Sequence, residues 1–163
     1  IVTGTGIHFG EVDLGTVGDG TRMQATVIGD AVNLASRLES ATKVFGVRIL
    51  MSESARARLV RPEEFRMRLI DTVRVKGKEK PIDIHEAFDL DEPTVMKKKL
   101  ESAQEFSDAR RLYKAGEFSR ALELFESCAE TCPRDTVVAA YLKRCGTLIR
   151  IPAGDEWAGV STL

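Results

Sequence analysis

An asparagine and an arginine, four residues apart, have side chains that could bind phosphate. They lie in residues 23–38, which read Met-Gln-Ala-Thr-Val-Ile-Gly-Asp-Ala-Val-Asn-Leu-Ala-Ser-Arg-Leu. Side chains at positions i and i+4 share one helix face, with Cβ atoms about 5 to 6 Å apart. In a helix, the Asn33 amide and the Arg37 guanidinium can therefore converge on one phosphate group. A solvated amide and an ordinary surface charge are the alternative interpretation.

A strand followed by a helix is predicted to position this pair. Thr26, Val27 and Ile28 are β-branched and favour a strand. Asp30 is predicted to cap the N-terminus of the helix, and Gly46 predicts its end. The apolar stripe of that helix is formed by Ala31, Leu34, Ala35 and Leu38.

Two further motifs flank this stretch. Gly-Ile-His-Phe-Gly-Glu-Val precedes it at residues 6–12, and Val-Lys-Gly-Lys follows it at residues 75–78. Residues 65–75 and 82–88 predict two paired strands, with Lys76 at the turn between them. Several lysines at a turn are also typical of a soluble hairpin tip, so Lys76 has two interpretations.

The three motifs, in this order and spacing, resemble those of class III adenylate and guanylate cyclase catalytic domains. The resemblance runs from about residue 4 to residue 87 and covers the C-terminal half of that domain. It implies an α+β fold: a truncated ferredoxin-like cyclase domain with a mostly antiparallel sheet and helices on one face. It also implies conversion of a nucleoside triphosphate to its 3′,5′-cyclic monophosphate with release of pyrophosphate.

The resemblance assigns roles to five residues. Asn33 would orient the ribose, and Arg37 would stabilise charge on the α-phosphate in the transition state. Thr26 falls where the family reads the purine, and its hydroxyl favours ATP, although a threonine can equally well fill a strand position. Lys76 would contact the β- and γ-phosphates. Arg22, before the motif strand, is a further candidate phosphate contact.

The family's two metal-binding aspartates and its purine-contacting lysine precede the first motif, whereas this chain begins at Ile1. Asp13, Asp19 and Asp30 are not assigned to a metal, because strand-end, loop and helix-cap positions account for them. The resemblance thus implies Mg²⁺ or Mn²⁺ held by residues upstream of this chain. It further implies a head-to-tail homodimer, to whose shared site this chain contributes the side without metal.

Composition narrows the class of protein. The 163 residues are 43% hydrophobic and 30% charged, with a net charge of −1, which allows one domain or two small ones. Near-neutral charge argues against nucleic-acid binding, which needs a basic excess. This composition is typical of a soluble cytosolic chain, so a cytoplasmic location is expected. The sequence contains neither a signal peptide nor an apolar run of about 18 residues, which for a fragment says nothing about the parent protein. Cyclases of this kind are often anchored to membranes through upstream segments.

A change of hydrophobic period from 2 to 3.6 predicts a second region. We expect the cyclase-like region at residues 1–90, a linker at 91–95, a helical region at 96–150 and a tail at 151–163. Residues 106–113, 118–128 and 136–148 predict three helices. The three cysteines of this region are expected to be small core residues: Cys128, Cys132 and Cys145.

Residues 113–133 resemble one tetratricopeptide repeat. Gly116 permits a tight interhelical turn, Ala121 allows close approach and Phe125 fills the groove. One repeat buries little surface alone, so the helical region is expected to pack on the cyclase-like region or on a protein partner. Trp157 of the tail is expected to dock on this helical hairpin.

The leading hypothesis is therefore part of an adenylate cyclase, inactive as this fragment alone. The alternative is a catalytically inactive cyclase-like module that regulates or binds nucleotide without turnover. A pure tetratricopeptide scaffold is a third and weaker interpretation, because the sequence contains only one repeat-like unit.

Overall fold

A computed structural model describes residues 3–19, 22–74, 80–151 and 157–162, with the backbone alone at residues 17–19 and 22–25. Strands and helices alternate in the first part of the chain, and helices dominate the second. The strands are β1 (Thr5–Ile7), β2 (Asp13–Asp19), β3 (Arg22–Ile28), β4 (Ile49–Ser52), β5 (Met67–Arg74), β6 (Ile82–Ala87) and β7 (Ser161–Thr162). The helices are α1 (Asp30–Phe45), α2 (Glu53–Arg56), α3 (Pro93–Glu101), α4 (Ala103–Lys114), α5 (Phe118–Thr131) and α6 (Thr136–Arg150).

Within the described residues, the main sheet has five strands in the order β1-β4-β6-β5-β7. Its central pairs, β4 with β6 and β6 with β5, are antiparallel, whereas the two outer pairs are parallel. Strands β2 and β3 form a separate antiparallel hairpin. The predicted α+β class is confirmed, and the predicted strands at 26–28, 65–75 and 82–88 correspond to β3, β5 and β6.

His85 occupies an interior position in the main sheet. It lies on β6, between β4 and β5, and is buried. Burial lowers the pKa of His85, although the neighbouring Glu53 carboxylate acts in the opposite direction. No local pattern predicts this position, because the order of strands in a sheet, unlike the existence of a strand, depends on contacts between residues far apart in the chain.

Helix α1 packs closely on β1, and Gly6 of β1 makes this approach possible. A Cβ atom on Gly6 would lie 2.2 Å from the Ala35 carbonyl oxygen and 2.3 Å from the Glu39 backbone nitrogen. Such distances are below van der Waals contact, and backbone atoms cannot rotate away. The glycine therefore sets the close approach of the helix to the sheet.

Replacement of Gly6 by alanine is expected to lower the free energy of unfolding by about 3 kcal/mol, because the added methyl group overpacks a backbone contact. Gly146→Ala is the matched control: its added methyl group meets no atom within 4 Å. We expect Gly146→Ala to raise stability by about 0.5 to 1 kcal/mol, since alanine favours a helix interior. Urea denaturation of both variants checks this, and equal effects would contradict the close-packing explanation.

The helices after residue 93 share one hydrophobic core with the sheet. Leu38, Leu50 and Ile70 from the first part of the chain join Phe125 and Tyr141 from the second in one buried cluster. The rings of Phe125 and Tyr141 stack, with centroids 4.6 Å apart. The helical region therefore packs on the sheet of the cyclase-like region, as one of the two alternatives from the sequence predicted.

A buried network of ion pairs fixes this contact. Arg68 of β5 donates to Glu86 at 2.7 Å and to both carboxylate oxygens of Asp135 at 2.6 and 2.8 Å. Lys99 of α3 donates to Glu86 at 2.5 Å and to Asp91 at 2.7 Å. Because each buried charge has a partner of opposite sign, the network links β5 and β6 to α3 and to the start of α6.

Asp135 has a second role as the N-cap of α6. Its Oδ1 accepts hydrogen bonds from the backbone amides of Val137 and Val138 at 3.1 and 3.3 Å. Burial acts to raise the pKa of Asp135, but its bonds to Arg68 hold that pKa below the ordinary value. The carboxylate is therefore charged in the folded state at neutral pH.

The cysteines and the described part of the tail occupy the expected environments. All three cysteines are buried, and burial raises the pKa of the Cys128 thiol to about 12 and that of Cys145 to about 11. Trp157 contacts the rings of Tyr113 and Phe118 and donates its indole N–H to the Tyr113 carbonyl at 3.2 Å. Each helix within the described ranges is too short or too polar to cross a bilayer.

Candidate functional site

The site is built around the start of α1. The N-cap is Gly29, not Asp30 as predicted from the sequence, and its carbonyl accepts from the amides of Val32 at 3.1 Å and Asn33 at 3.3 Å. Gly29 has φ 149° and ψ 168°, a conformation that only glycine adopts readily. Asp30 is the first helical residue instead, where its charge favours the positive end of the helix dipole. Gly46 ends the helix in the left-handed conformation, as predicted.

Asn33 and Arg37 lie one turn apart on α1, so the helix brings the two side chains to one face. Asn33 is exposed, whereas Arg37 is partly buried. The apolar stripe that includes Leu34 and Leu38 is buried against the sheet and fixes the rotation of the helix. An exposed amide and a guanidinium held in this way can both contact a ligand at the surface of α1.

Thr26 lies on β3, just before the turn into α1. It is partly buried and pairs with Gly15 of β2. Arg22 begins β3 opposite Asp19, but its side chain is outside the described residues. Lys76 also lies outside them, between the end of β5 and the start of β6. The structure therefore places Thr26, Asn33 and Arg37 and leaves the other two assignments as predictions.

A cleft of about 780 Å³ adjoins the N-terminus of α1. Its lining includes His8 and the carboxylates of Glu11, Asp13 and Asp30, and among the described residues it does not include Thr26, Asn33 or Arg37. Three carboxylates in the lining disfavour a polyphosphate, so we do not assign the nucleotide to this cleft. No local sequence pattern predicts this cleft, because it forms where residues 10–13 fold back onto Gly29.

His8 belongs to a small hydrogen-bonded cluster. Its Nδ1 lies 2.8 Å from the Ser52 hydroxyl and 3.1 Å from the Ser54 hydroxyl. Ser52 accepts the Ala55 amide as the N-cap of α2, and Ser54 donates to the Phe9 carbonyl. These bonds join the end of β1 to the start of α2, so both serines have structural roles.

The described residues do not fit a divalent metal. Within that part of the chain, no three His, Cys, Asp or Glu side chains come together in a group that could hold an ion. We therefore derive no chemical step through a metal on these residues.

A mixed α+β chain with an Asn/Arg helix beside the sheet is consistent with a nucleotide-binding catalytic domain. The family model described as "Adenylate and Guanylate cyclase catalytic domain" matches residues 2–86, which is just over half of the chain. The chain belongs to that family.

Curated relatives extend this finding. A Dictyostelium discoideum protein, "Adenylate cyclase, terminal-differentiation specific", is 36% identical over 146 residues, which is 89% of this chain and 7% of that protein. An Anabaena cylindrica "Adenylate cyclase" is 54% identical over 87 residues, 53% of this chain and 17% of that protein. The chain thus spans a small part of each relative. Since the Dictyostelium match omits only a tenth of this chain, it includes the helices that follow the sheet.

Two solved structures are also similar. The adenylyl cyclase CyaB from P. aeruginosa has 35% sequence identity and a TM-score of 0.42, covering 52% of this chain and 41% of that chain. A bacterial light-regulated adenylyl cyclase has 22% identity and a TM-score of 0.40, covering 52% and 40%.

Proposed function

We propose that this chain is part of an adenylate cyclase that converts ATP to 3′,5′-cyclic AMP and pyrophosphate. The observation that carries the proposal is the Asn33–Arg37 pair, held on one face of α1 within the region that the family model matches. The relatives named as adenylate cyclases support the same activity.

In the proposed reaction, the ribose 3′-hydroxyl loses its proton to solvent and its oxygen forms a bond to the α-phosphorus. The bond from that phosphorus to the bridging oxygen breaks, and pyrophosphate leaves with the electron pair. Negative charge develops on the phosphate oxygens, so catalysis depends mainly on positioning and charge stabilisation. Arg37 donates to the α-phosphate oxygens, and a planar guanidinium suits this geometry better than an ammonium group. Asn33 orients the ribose that carries the attacking hydroxyl.

Three residues complete the substrate contacts in this proposal. Thr26 hydrogen-bonds the adenine edge, for which its partly buried position at the end of β3 is suitable. Lys76 contacts the β- and γ-phosphates from the turn after β5, and Arg22 is a further phosphate contact. The near-neutral net charge of the chain is compatible with a phosphate-binding site, because only cationic side chains close to the phosphates are needed.

The proposed site is shared between two copies in a head-to-tail homodimer. This chain supplies the purine, ribose and transition-state side. Mg²⁺ or Mn²⁺ would be held by residues upstream of this chain, as the resemblance to class III cyclases implies. In this proposal, the chain folds as the C-terminal part of a ferredoxin-like cyclase domain. It lies in the cytoplasm, and other segments of the parent protein can anchor it to a membrane.

We propose that this chain consists of a cyclase-like region at residues 1–90, a linker at 91–95 that includes the start of α3, a helical region at 96–150 and a tail at 151–163. The α4–α5 pair is the tetratricopeptide-like element of the helical region, because the two helices are joined at Gly116 and Ala121 is fully buried between neighbours. The exposed surface of these helices is the candidate contact for a protein partner.

The function is tested by assaying the full-length protein that contains this chain with ATP and with GTP, in the presence of Mg²⁺ or Mn²⁺. We expect cyclic AMP from ATP and a much slower reaction with GTP, because Thr26 favours adenine. Preference for GTP would contradict the role of Thr26. Absence of both products, in a folded protein that still binds nucleotide, would favour the inactive regulatory module.

A further inference from the structure

Helix α6 contacts both β5 and the helix that carries the candidate catalytic pair, although it lies outside the residues that the family model matches. Its first contact is with an irregularity in β5. The pairing register with β6 shifts between Leu69 and Asp71, which leaves Ile70 without a paired residue. The carbonyl of Ile70 instead accepts from the Tyr141 hydroxyl at 2.6 Å and from the Arg110 Nε at 3.0 Å. The helices thus satisfy a buried backbone group that the sheet does not.

Arg144 of α6 makes the second contact and joins two elements. Its guanidinium donates to the Asp71 carboxylate of β5 at 2.8 Å and lies over the Phe45 ring of α1, 5.1 Å from the ring centroid. It also lies 5.3 Å from the ring centroid of Tyr141. Asp71 and Phe45 are both almost fully buried. One side chain therefore contacts β5 through an ion pair and α1 through a cation–π contact.

The start of α6 contacts the same end of α1. The Thr136 hydroxyl donates to the Gly46 carbonyl at 3.1 Å, and a Cβ atom on Gly46 would lie 2.9 Å from the Cβ of Thr136. The C-terminal end of α1 is thus held by α6 at two points, Phe45 and Gly46.

We propose that Arg144 is a positioning residue for the Asn33–Arg37 pair, holding the C-terminal end of α1 in place on β5. This inference rests on the proposed function. Asn33 and Phe45 are 12 residues apart, a distance of about 18 Å along the helix. Helix α1 contacts β1 between these positions, where Gly6 meets residues 35–39. A shift of Phe45 by about 1 Å therefore tilts α1 about this contact and moves Asn33 by roughly 0.5 Å, which reaches the tolerance of about 0.5 Å for a catalytic group. Arg37 lies at the contact and moves less, so the tilt changes the position of Asn33 relative to Arg37.

Two variants of Arg144 test the inference in the full-length protein. Arg144→Lys keeps the charge opposite Asp71 but loses the guanidinium contact with the Phe45 ring, and Arg144→Met loses both the charge and that contact. We expect kcat for cyclic AMP formation to fall about 3- to 10-fold in Arg144→Lys, and further in Arg144→Met. KM for ATP should stay within a factor of about 2, because the affected groups act in the transition state.

Two control variants separate positioning from general loss of stability. Arg111→Lys changes an exposed guanidinium on α4 that pairs only with Asp108 among the described ion pairs. Phe118→Leu weakens the packing of Tyr113 and Trp157 without removing a group from β5 or α1. We expect Arg111→Lys to be neutral, and Phe118→Leu to lower Tm while kcat stays unchanged below the transition.

Amide hydrogen exchange gives a readout that does not require activity. We expect Arg144→Lys and Arg144→Met to speed exchange in the C-terminal half of α1 and in β5, but not in α5. Unchanged kcat in both variants, or an equal fall in kcat in Phe118→Leu, would overturn the inference. If the unmodified protein makes no cyclic nucleotide, the proposed function fails. Hydrogen exchange then decides the coupling itself, which faster exchange confined to α1 and β5 supports and unchanged exchange refutes.

Discussion

Replacement of Arg37 by lysine is expected to lower kcat for cyclic AMP formation by about 10²–10³-fold in the full-length protein. Lysine keeps the positive charge, so the loss follows from geometry. A planar guanidinium presents several donors in a fixed arrangement to the oxygens of the α-phosphate, whereas an ammonium group acts as a single flexible point charge. Because this contact strengthens as charge develops, kcat should fall more than KM rises.

The reverse exchange on the same helix is the control. Lys43 is exposed on α1 and pairs with Glu39 at 3.3 Å, so Lys43→Arg should leave kcat within a factor of about 2. Initial rates over a range of ATP concentrations give both constants, and Tm shows whether Arg37→Lys remains folded. A folded Arg37→Lys variant with nearly unchanged kcat would remove Arg37 from the transition state.

The largest expected effect on stability is at Arg68. Replacement by methionine is expected to lower the free energy of unfolding by about 3 to 5 kcal/mol, because it leaves Glu86 and Asp135 buried without this partner. The side chain of Arg68 is 8% exposed, and those of Glu86 and Asp135 are 2% and 0% exposed. Burial alone would lower the pKa of Arg68, but the two carboxylates hold it above its ordinary value.

Arg56→Met is the control for this prediction. Arg56 makes a similar two-bond contact with Glu53, but at the surface, so its loss should cost less than about 1 kcal/mol. Urea denaturation at neutral pH compares the two variants. A cost at Arg68 no larger than at Arg56 would show that the buried network contributes little.

Acid pH provides an independent check on the same network. The folded-state pKa of Asp135 is lowered, so its contribution to stability is present above the unfolded pKa of about 4 and is lost as pH falls through the folded pKa. Arg68 lowers the pKa of Asp135, so the free energy of unfolding of Arg68→Met should fall less steeply as the pH becomes acidic. An unchanged slope of stability with pH would contradict the pairing.

Much of the local structure could be predicted from the sequence because its causes are local. The β-branched run at 26–28, the stripe that includes Leu34 and Leu38, and Gly46 are signals that lie within or beside their own elements. The periodicity of residues 106–148 likewise predicted helices that correspond to α4, α5 and α6. The spacing of Asn33 and Arg37 placed them on one face for the same reason.

What could not be predicted depends on residues distant in the chain. The N-cap of α1 is Gly29 and not the predicted Asp30, because a φ of 149° is needed where the end of β3 approaches residues 11–13. No local sequence pattern encodes this approach. The pairing of Arg68 with Asp135 joins residues 67 positions apart. The contacts of Arg144 with Asp71 and Phe45 have the same origin, so the link between α6 and α1 became visible only in the folded chain.

The measurement that tests the central claim most directly is cyclic AMP formation from ATP by the purified 163-residue chain beside the full-length protein. Both are assayed with Mg²⁺ or Mn²⁺ at equal concentration of this region. We expect activity from the full-length protein alone, because this chain supplies the Thr26, Asn33 and Arg37 side of a shared site. Sustained cyclic AMP formation by the 163-residue chain would contradict this account.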